Sequence, residues 1–220
     1  MTNSLRANHD PDRFEANGHV VLESLLDEPE LARLEAALPT AGLRAGTRNL
    51  LHAPWCTSLA IRLKRDEQLA PLLPTDPVAV QCTYFVKSET DNWLVALHRD
   101  LSIPVRHHVA SPAWRGWSEK EGERFAQPPL AVLASIVAVR LHLEDNTDTN
   151  GPLQVVPGSH RHLGTDGERV SCLVRRGGAV VMRPLLLHAS KKVLSGRRRV
   201  LHILFAGRSL PDGAEWAHAV

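Results

Sequence analysis

Ala96-Leu97-His98-Arg99-Asp100-Leu101 sets a histidine and an aspartate two residues apart inside an apolar frame. On an extended strand, residues i and i+2 project from the same face. The His98 imidazole and the Asp100 carboxylate can then address one shared object. On a helix the pair diverges by roughly 200°, because each residue turns about 100°. The obvious shared object is a metal ion, and two ligands need a third from elsewhere in the chain.

Working outward, the sequence changes character at Pro77. Before it lie helical signals. Asp10-Pro11 caps a short helix that Gly18 ends, His19–Leu26 reads as a strand, and Asp27-Glu28-Pro29-Glu30 opens a helix with Leu31, Leu34 and Leu38 on one face and Pro39 closing it. Residues 40–55 read as loop, and a second, interrupted helical stretch covers about 58–73. From Val78 to Val86, and again over 136–143, 153–156, 170–174, 179–187 and 200–205, short apolar runs are separated by Pro157-Gly158, Gly177-Gly178 and Ser195-Gly196. Many short strands behind a helical front predict a mainly β fold, a sandwich or jelly roll with the N-terminal helices packed outside. No βαβ alternation, GxGxxG or P-loop is present. One domain over 1–220 is expected, with a helical part about 10–75 and a β core about 77–206. Residues 102–129, rich in Trp, His and alternating charge, read as a long lid-like loop.

A length of 220 residues with 43% hydrophobic and 23% charged residues is ordinary for a soluble globular chain. A formal net charge of +2 gives no reason to expect a nucleic-acid partner, and Arg197-Arg198-Arg199 is too short to be a polybasic patch. No apolar run reaches the roughly 18 residues of a membrane span, and Met1–Asn17 has no apolar core of a signal peptide. Cys56, Cys82 and Cys172, without CxxC spacing, fit reduced core thiols of a cytoplasmic protein. With 12 histidines in the chain, only spacing raises one above background.

His188 supplies the third ligand, standing at the end of Val180–Leu187, where a side chain can project into a barrel mouth. Two histidines and one carboxylate occupy one face of an octahedral metal and leave three positions open, the pattern suited to non-haem Fe(II) oxygen chemistry. Further on, Arg198 begins the last strong strand, and a guanidinium there can clamp a carboxylate bidentately.

His98-Arg99-Asp100, the stretch Asn150-Gly151-Pro152-Leu153-Gln154-Val155-Val156-Pro157-Gly158-Ser159-His160, and His188-Ala189-Ser190 with the arginines together resemble the phytanoyl-CoA dioxygenase family. Phe14 to Leu22 is similar to the family's opening, so the resemblance runs from about Phe14 to Phe205. It implies a double-stranded β-helix of the cupin-like jelly-roll kind, and a dioxygenase that consumes 2-oxoglutarate and O2 at Fe(II). His98, Asp100 and His188 become the iron ligands. The arginine after the last ligand becomes the partner of the 2-oxoglutarate C5 carboxylate, and Ser190 and Thr83 match positions lining that cosubstrate's pocket. Counting forward from His188 favours Arg199 for the clamp. Aligning the final strand favours Arg198, which is the expected residue. Family members often carry glutamine at Arg99 and tryptophan near Arg140, so the pocket wall is expected to be more polar here. Related halogenases replace the carboxylate with a small residue, so Asp100 favours hydroxylation of a small-to-medium metabolite, with succinate and CO2 released.

Two other classes stay open at this level: a cupin-like metal enzyme that does not use 2-oxoglutarate, and a non-catalytic binder on the same barrel. His107, His108, His142, His160, His162 and His202 are expected to be structural or at the surface, and Trp114 and Trp117 to pack the 102–129 segment.

Overall fold

The computed structural model describes residues 10–39, 47–162 and 164–220. The start of the polar N-terminal stretch and residues 40–46 of the expected loop lie outside these.

Local chemistry fixes the two front helices. In α1 (Pro11–Asn17) the Asp10 carboxylate accepts from the Asp12 amide at 3.0 Å, Pro11 takes the first turn, and Gly18 closes the helix at φ 73°. In α2 (Glu28–Ala37) Asp27 and Glu30 form a reciprocal capping box, with bonds of 2.8 and 3.1 Å. That helix ends because Leu38 precedes Pro39 and is forced into the extended region at ψ 144°. The next helix, α3 (Pro54–Lys64), starts earlier than its apolar spacing suggests, with Pro54 at its first turn.

Among the described residues twelve strands follow in chain order: β1 (His19–Leu22), β2 (Pro77–Ser88), β3 (Val95–His98), β4 (Ile103–Pro104), β5 (Arg115–Lys120), β6 (Glu123–Gln127), β7 (Val137–His142), β8 (Leu153–Val155), β9 (Val170–Cys172), β10 (Ala179–Met182), β11 (His188–Ser190) and β12 (Arg197–Gly207). A short helix, α4 (Leu130–Ser135), precedes β7. The large sheet has the order β1-β10-β7-β12-β2 and the smaller one β3-β11-β8-β9, every pairing antiparallel. The fold is the mainly β, jelly-roll type expected, with helices outside.

β7 shows how the two layers are built. All six of its residues are buried. Val137, Val139 and Leu141 pack outward in a core with Leu31, Leu34, Leu63 and Tyr84. Ala138 faces inward onto Val155, Val180 and Met182 of the core between the sheets. Arg140 and His142 share the inward parity of Ala138, so the apolar inner core gives way to polar side chains along the strand.

Two sequence expectations need correction. The run 179–187 is not one strand. It leaves the large sheet after Met182: the Arg183 amide makes the last bond toward β1, to the Gly18 carbonyl at 2.9 Å, and Pro184 has no amide hydrogen with which to continue the ladder. The chain then turns and enters the smaller sheet as β11, which carries His188 across to face the large sheet. The second correction concerns 102–129, which is not an irregular loop. It holds a three-stranded sheet of order β4-β6-β5. Its β5–β6 hairpin closes through Glu121 (φ 52°) and Gly122 (φ 80°), a two-residue turn of positive φ that matches strand twist. β5 has no buried residue, so its sequence lacks the apolar alternation that marks a strand.

The Pro-Gly-Ser-His stretch pins this crossover. The buried Ser159 hydroxyl donates to the Val156 carbonyl at 2.7 Å and accepts from the Leu187 amide at 2.9 Å. Ser159→Ala leaves that buried amide without a partner, and is expected to cost about 1–3 kcal/mol of stability in urea unfolding. An unchanged unfolding midpoint would show that Ser159 does not hold the crossover.

Candidate metal centre and its cavity

His98 ends β3 and His188 begins β11, and the two are direct partners across the antiparallel pair. Their rings lie 4.2 Å apart between centroids. Each donates its Nδ1–H to the carbonyl two residues earlier, Ala96 and Leu186 respectively, both at 2.8 Å. That fixes the tautomer and leaves each Nε2 lone pair free. Asp100 lies two residues beyond the end of β3, so the strand geometry inferred from i, i+2 spacing ends at His98 and does not reach it. Its amide donates instead to the Pro184 carbonyl at 3.0 Å. The carboxylate nevertheless meets both imidazoles, with Oδ1 3.6 Å from His98 Nε2 and Oδ2 3.6 Å from His188 Nε2. The three donor atoms lie within 4.8 Å of one another. Nitrogen and oxygen ligands bind first-row divalent metals at about 2.0–2.2 Å. A gap of this size therefore suits one ion, and the donor set is that of a facial triad.

Arg99 has its place here. Its Nε donates to the Leu185 carbonyl at 2.8 Å, and Nη2 donates to the carbonyls of Ser159, His162 and Gly164 at 2.9–3.0 Å. The residue between His98 and Asp100 thus points away from them and ties their loop to the crossover.

The triad opens into a cavity of about 480 Å³ between the sheets. Thr83, Lys87, Arg140, Ser190, Arg198 and His202 all line it. Arg198 is buried, with Nη1 bonded to the Gly151 carbonyl and Nε left without a partner. Arg199 has the opposite strand parity and is paired with Glu144 and Glu35 outside the cavity. Gly151 is in the left-handed region (φ 71°), and a Cβ there would meet the Lys191 carbonyl at 2.6 Å, so glycine is required where its carbonyl reaches Arg198. Ser190 Oγ accepts from Lys87 Nζ at 2.7 Å, and Thr83 Oγ1 accepts from Gln81 at 3.0 Å. Both hydroxyl hydrogens are free for a further acceptor.

His202 was expected to be an ordinary core histidine. It lines the cavity instead, with Nε2 3.9 Å from Asp100 Oδ2 and Nδ1 accepting from Arg140 Nη1 at 3.1 Å. The i, i+4 strand parity with Arg198 was the available signal. Lys87 and Arg140 complete a buried cationic wall. The apolar pattern around Lys87 concealed it, although cross-strand pairing with Arg198 places both on one face. Trp114 is buried in the inner core and donates at 3.0 Å to the exposed Asp212, and Trp117 stacks on His108, so both are packing residues as expected. Cys56, Cys82 and Cys172 are buried free thiols.

The electrostatics follow from this crowding. Burial pulls the His188 imidazole down to about 4, so it is neutral at pH 7 and ready to ligate. Burial opposes charge on Asp100, but the imidazoles of His98, His188 and His202 beside it outweigh burial and hold the carboxyl well below its usual range. Burial, helped by Arg198 and Arg140, pulls Lys87 down to about 7. Asp100 is the single carboxylate among the described cavity-lining residues, against several cations. Such a space favours an anion.

A sequence profile of the phytanoyl-CoA dioxygenase (PhyH) family matches residues 14–201, and the chain belongs to that family. The family uses Fe(II), 2-oxoglutarate and O2. Among curated proteins, no sequence matches this chain. Among solved structures, EvdMO1 superposes with a TM-score of 0.66 at 21% identity, covering 93% of this chain and 50% of that one. The chain therefore spans about half the length of EvdMO1. SnoK, a non-haem 2-oxoglutarate-dependent carbocyclase from nogalamycin biosynthesis, gives 0.64 at 15% identity, with coverage of 97% and 89%. HygX from Streptomyces hygroscopicus, solved with nickel and 2-oxoglutarate bound, gives 0.61 at 16% identity, with coverage of 96% and 89%. These likenesses establish the fold. No described helix is long and apolar enough to cross a membrane.

The Lys87 shift is directly measurable. A folded-state value near 7 against about 10.4 unfolded means the unfolded chain holds the extra proton between those values. This group therefore makes stability rise with pH across that window. Arg140→Met should move the Lys87 midpoint upward in an NMR titration of the lysine side chain, and an unmoved midpoint would leave burial and Arg198 as its causes.

Proposed function

We propose that the protein is an Fe(II)- and 2-oxoglutarate-dependent oxygenase acting on a small-to-medium metabolite, with the whole chain serving as one catalytic domain and hydroxylation as the outcome. The observation that carries this reading is the convergence of His98 Nε2, Asp100 and His188 Nε2 at a cavity whose far wall holds the buried Arg198. His98, Asp100 and His188 hold the iron. Arg198 takes the C5 carboxylate of 2-oxoglutarate, and its unpartnered Nε is the donor left for that purpose. Ser190 and Thr83 direct their free hydroxyl hydrogens to the same cosubstrate.

When bound, the iron supplies activation of O2, coupled to oxidative decarboxylation of 2-oxoglutarate to succinate and CO2. The chain's own residues do the rest. The two Nδ1–H bonds hold the imidazoles in the ligating tautomer. Arg198, Lys87 and Arg140 provide charge to match a dianion, which neutral walls would leave desolvated. The sheets exclude bulk water from the reacting carbon. SnoK is a carbocyclase and SnoN of the same pathway an epimerase, so the fold serves several outcomes. Asp100 favours hydroxylation because a carboxylate ligand leaves no halide position.

Purified protein supplied with Fe(II) should convert 2-oxoglutarate slowly to succinate, and His188→Ala should abolish this. Succinate release that persists without iron would sink the reading. Arg198→Ala should raise KM for 2-oxoglutarate about 10- to 100-fold, from roughly 1.5–3 kcal/mol lost with a charge-assisted contact. An enzyme of the same barrel working without 2-oxoglutarate would be indifferent to that change.

Lys87 adds a pH signature. Below about 7 it is already charged when the cosubstrate arrives. Above that value, binding must draw a proton onto it, so KM for 2-oxoglutarate should climb as pH rises. In Lys87→Met the climb should vanish, and a slope common to both proteins would remove Lys87 from the clamp.

A further inference from the structure

We infer that the protein carries a second metal site, remote from the cavity, formed by His52, Glu123 and His218 and suited to Zn2+. Three distant segments deliver these side chains. His52 ends the single turn Leu50–His52, Glu123 is the first residue of β6, and His218 lies in the C-terminal tail. His52 Nε2 stands 3.7 Å from Glu123 Oε1, and His218 Nε2 contacts the same oxygen more closely. The two imidazoles meet edge to face at 4.1 Å, and one donor atom from each of the three residues lies within 4.8 Å of the others.

Two imidazoles and one carboxylate are a donor set that Zn2+ accepts, with water or another ligand in the fourth position. Burial is graded to fit that arrangement. The side chains of Glu123 and His218 are 12% and 20% exposed, while His52 is 65% exposed and leaves one side open to solvent. The surroundings are already braced to hold the ligands in place. Glu121, two residues before Glu123, binds the backbone of Arg48 at 2.8 Å and its guanidinium at 3.0 Å. On the other side, Trp216 bridges Val105 just before His218, and the Ala217 amide reaches the Pro104 carbonyl.

The consequence reaches the cavity. β6 also carries Phe125 and Gln127, both on the cavity wall. A cation at Glu123 fastens this wall to the 50–52 turn and to the C-terminal tail, and so fixes its distance from the His98-Asp100-His188 triad. The inference uses none of the triad residues and stands apart from the oxygenase reading.

The test counts Zn2+ equivalents by calorimetry on chelator-stripped full-length protein at micromolar free metal. Wild type is expected to bind two equivalents, His98→Ala/His188→Ala one, and His52→Ala/His218→Ala one. If the double variant of the triad binds none, or His52→Ala/His218→Ala matches wild type, the second site does not exist. If wild type and the triad variant both bind one equivalent while His52→Ala/His218→Ala binds none, the second site stands and the triad fails as a metal centre. Glu123→Gln keeps the side-chain shape and removes the charge, so it replaces the double variant should that one misfold. Zn2+ should also raise the Tm of the triad variant, and adding Glu123→Gln should erase the rise. A Tm indifferent to Zn2+ would leave only a hydrogen-bonded His-Glu-His cluster.

Discussion

The Arg99 guanidinium holds the centre of this molecule together. Four backbone carbonyls, from Leu185, Ser159, His162 and Gly164, converge on it. They belong to the two segments that must meet for the site to exist, the crossover into β11 and the turn after β8. A fixed fork of N–H donors satisfies several carbonyls at once, whereas a lysine ammonium offers a point charge on a flexible stem. Arg99 sits between His98 and Asp100, so whatever orders the crossover also orders the ligand loop. His188 position and Asp100 position are therefore coupled through one side chain, backed by the Ser159 hydroxyl and the Asp100 amide bond to Pro184.

The cavity imposes a cost that the outer core must offset. Lys87, Arg140 and Arg198 are all buried, and the one carboxylate among the described lining residues is shared with three histidines. Burial pulls each of the three cations down from its ordinary value. Local satisfaction is also incomplete, since Nε of Arg140 and of Arg198 lack partners. Interiors rarely accept unpaired cations without a functional reason. A dianion bound there, as proposed, would supply the missing charge and acceptors together. The free protein is thus preorganised for an anion at the expense of its own stability, which is the usual balance at a site built to bind.

Legibility in the sequence divided along physical lines. The helix caps, the Pro-Gly turns and the apolar runs of β2, β7 and β12 are local signals, and they placed α1, α2 and those strands. His98, Asp100 and His188 stood out because ligand type, spacing and strand ends coincided. The crossover at Arg183–Leu187 was hidden because an apolar run reads the same whether it continues one strand or passes between sheets, and Pro184 was the cue. The β5–β6 hairpin was hidden because its strands are largely solvated and so lack apolar alternation, although Glu121-Gly122 carried the turn signal. Lys87, Arg140 and His142 interrupt otherwise apolar strands, and nothing local says whether such a residue faces solvent or a cavity. That depends on register with partners far along the chain.

The arginine run shows what register can decide that counting cannot. Distance along the chain from His188 leaves Arg198 and Arg199 as competitors, because a bulge or a short turn shifts any count by one. Strand parity does not shift in that way. In β12, Arg198 pairs with Lys87 and shares its face with His202, four residues on, opposite Thr83. Arg197 and Arg199 fall on the other face, where Glu144 takes both and Glu35 takes Arg199. Glu35 is held at about 2 by Arg176 first and Arg199 second, so the outer cluster remains ionised throughout the neutral range. These pairs anchor the start of β12 from outside. The same anchoring keeps Arg198 turned inward against the cost of its burial, so a run of three like charges resolves into one cavity residue and two clamps that hold it there.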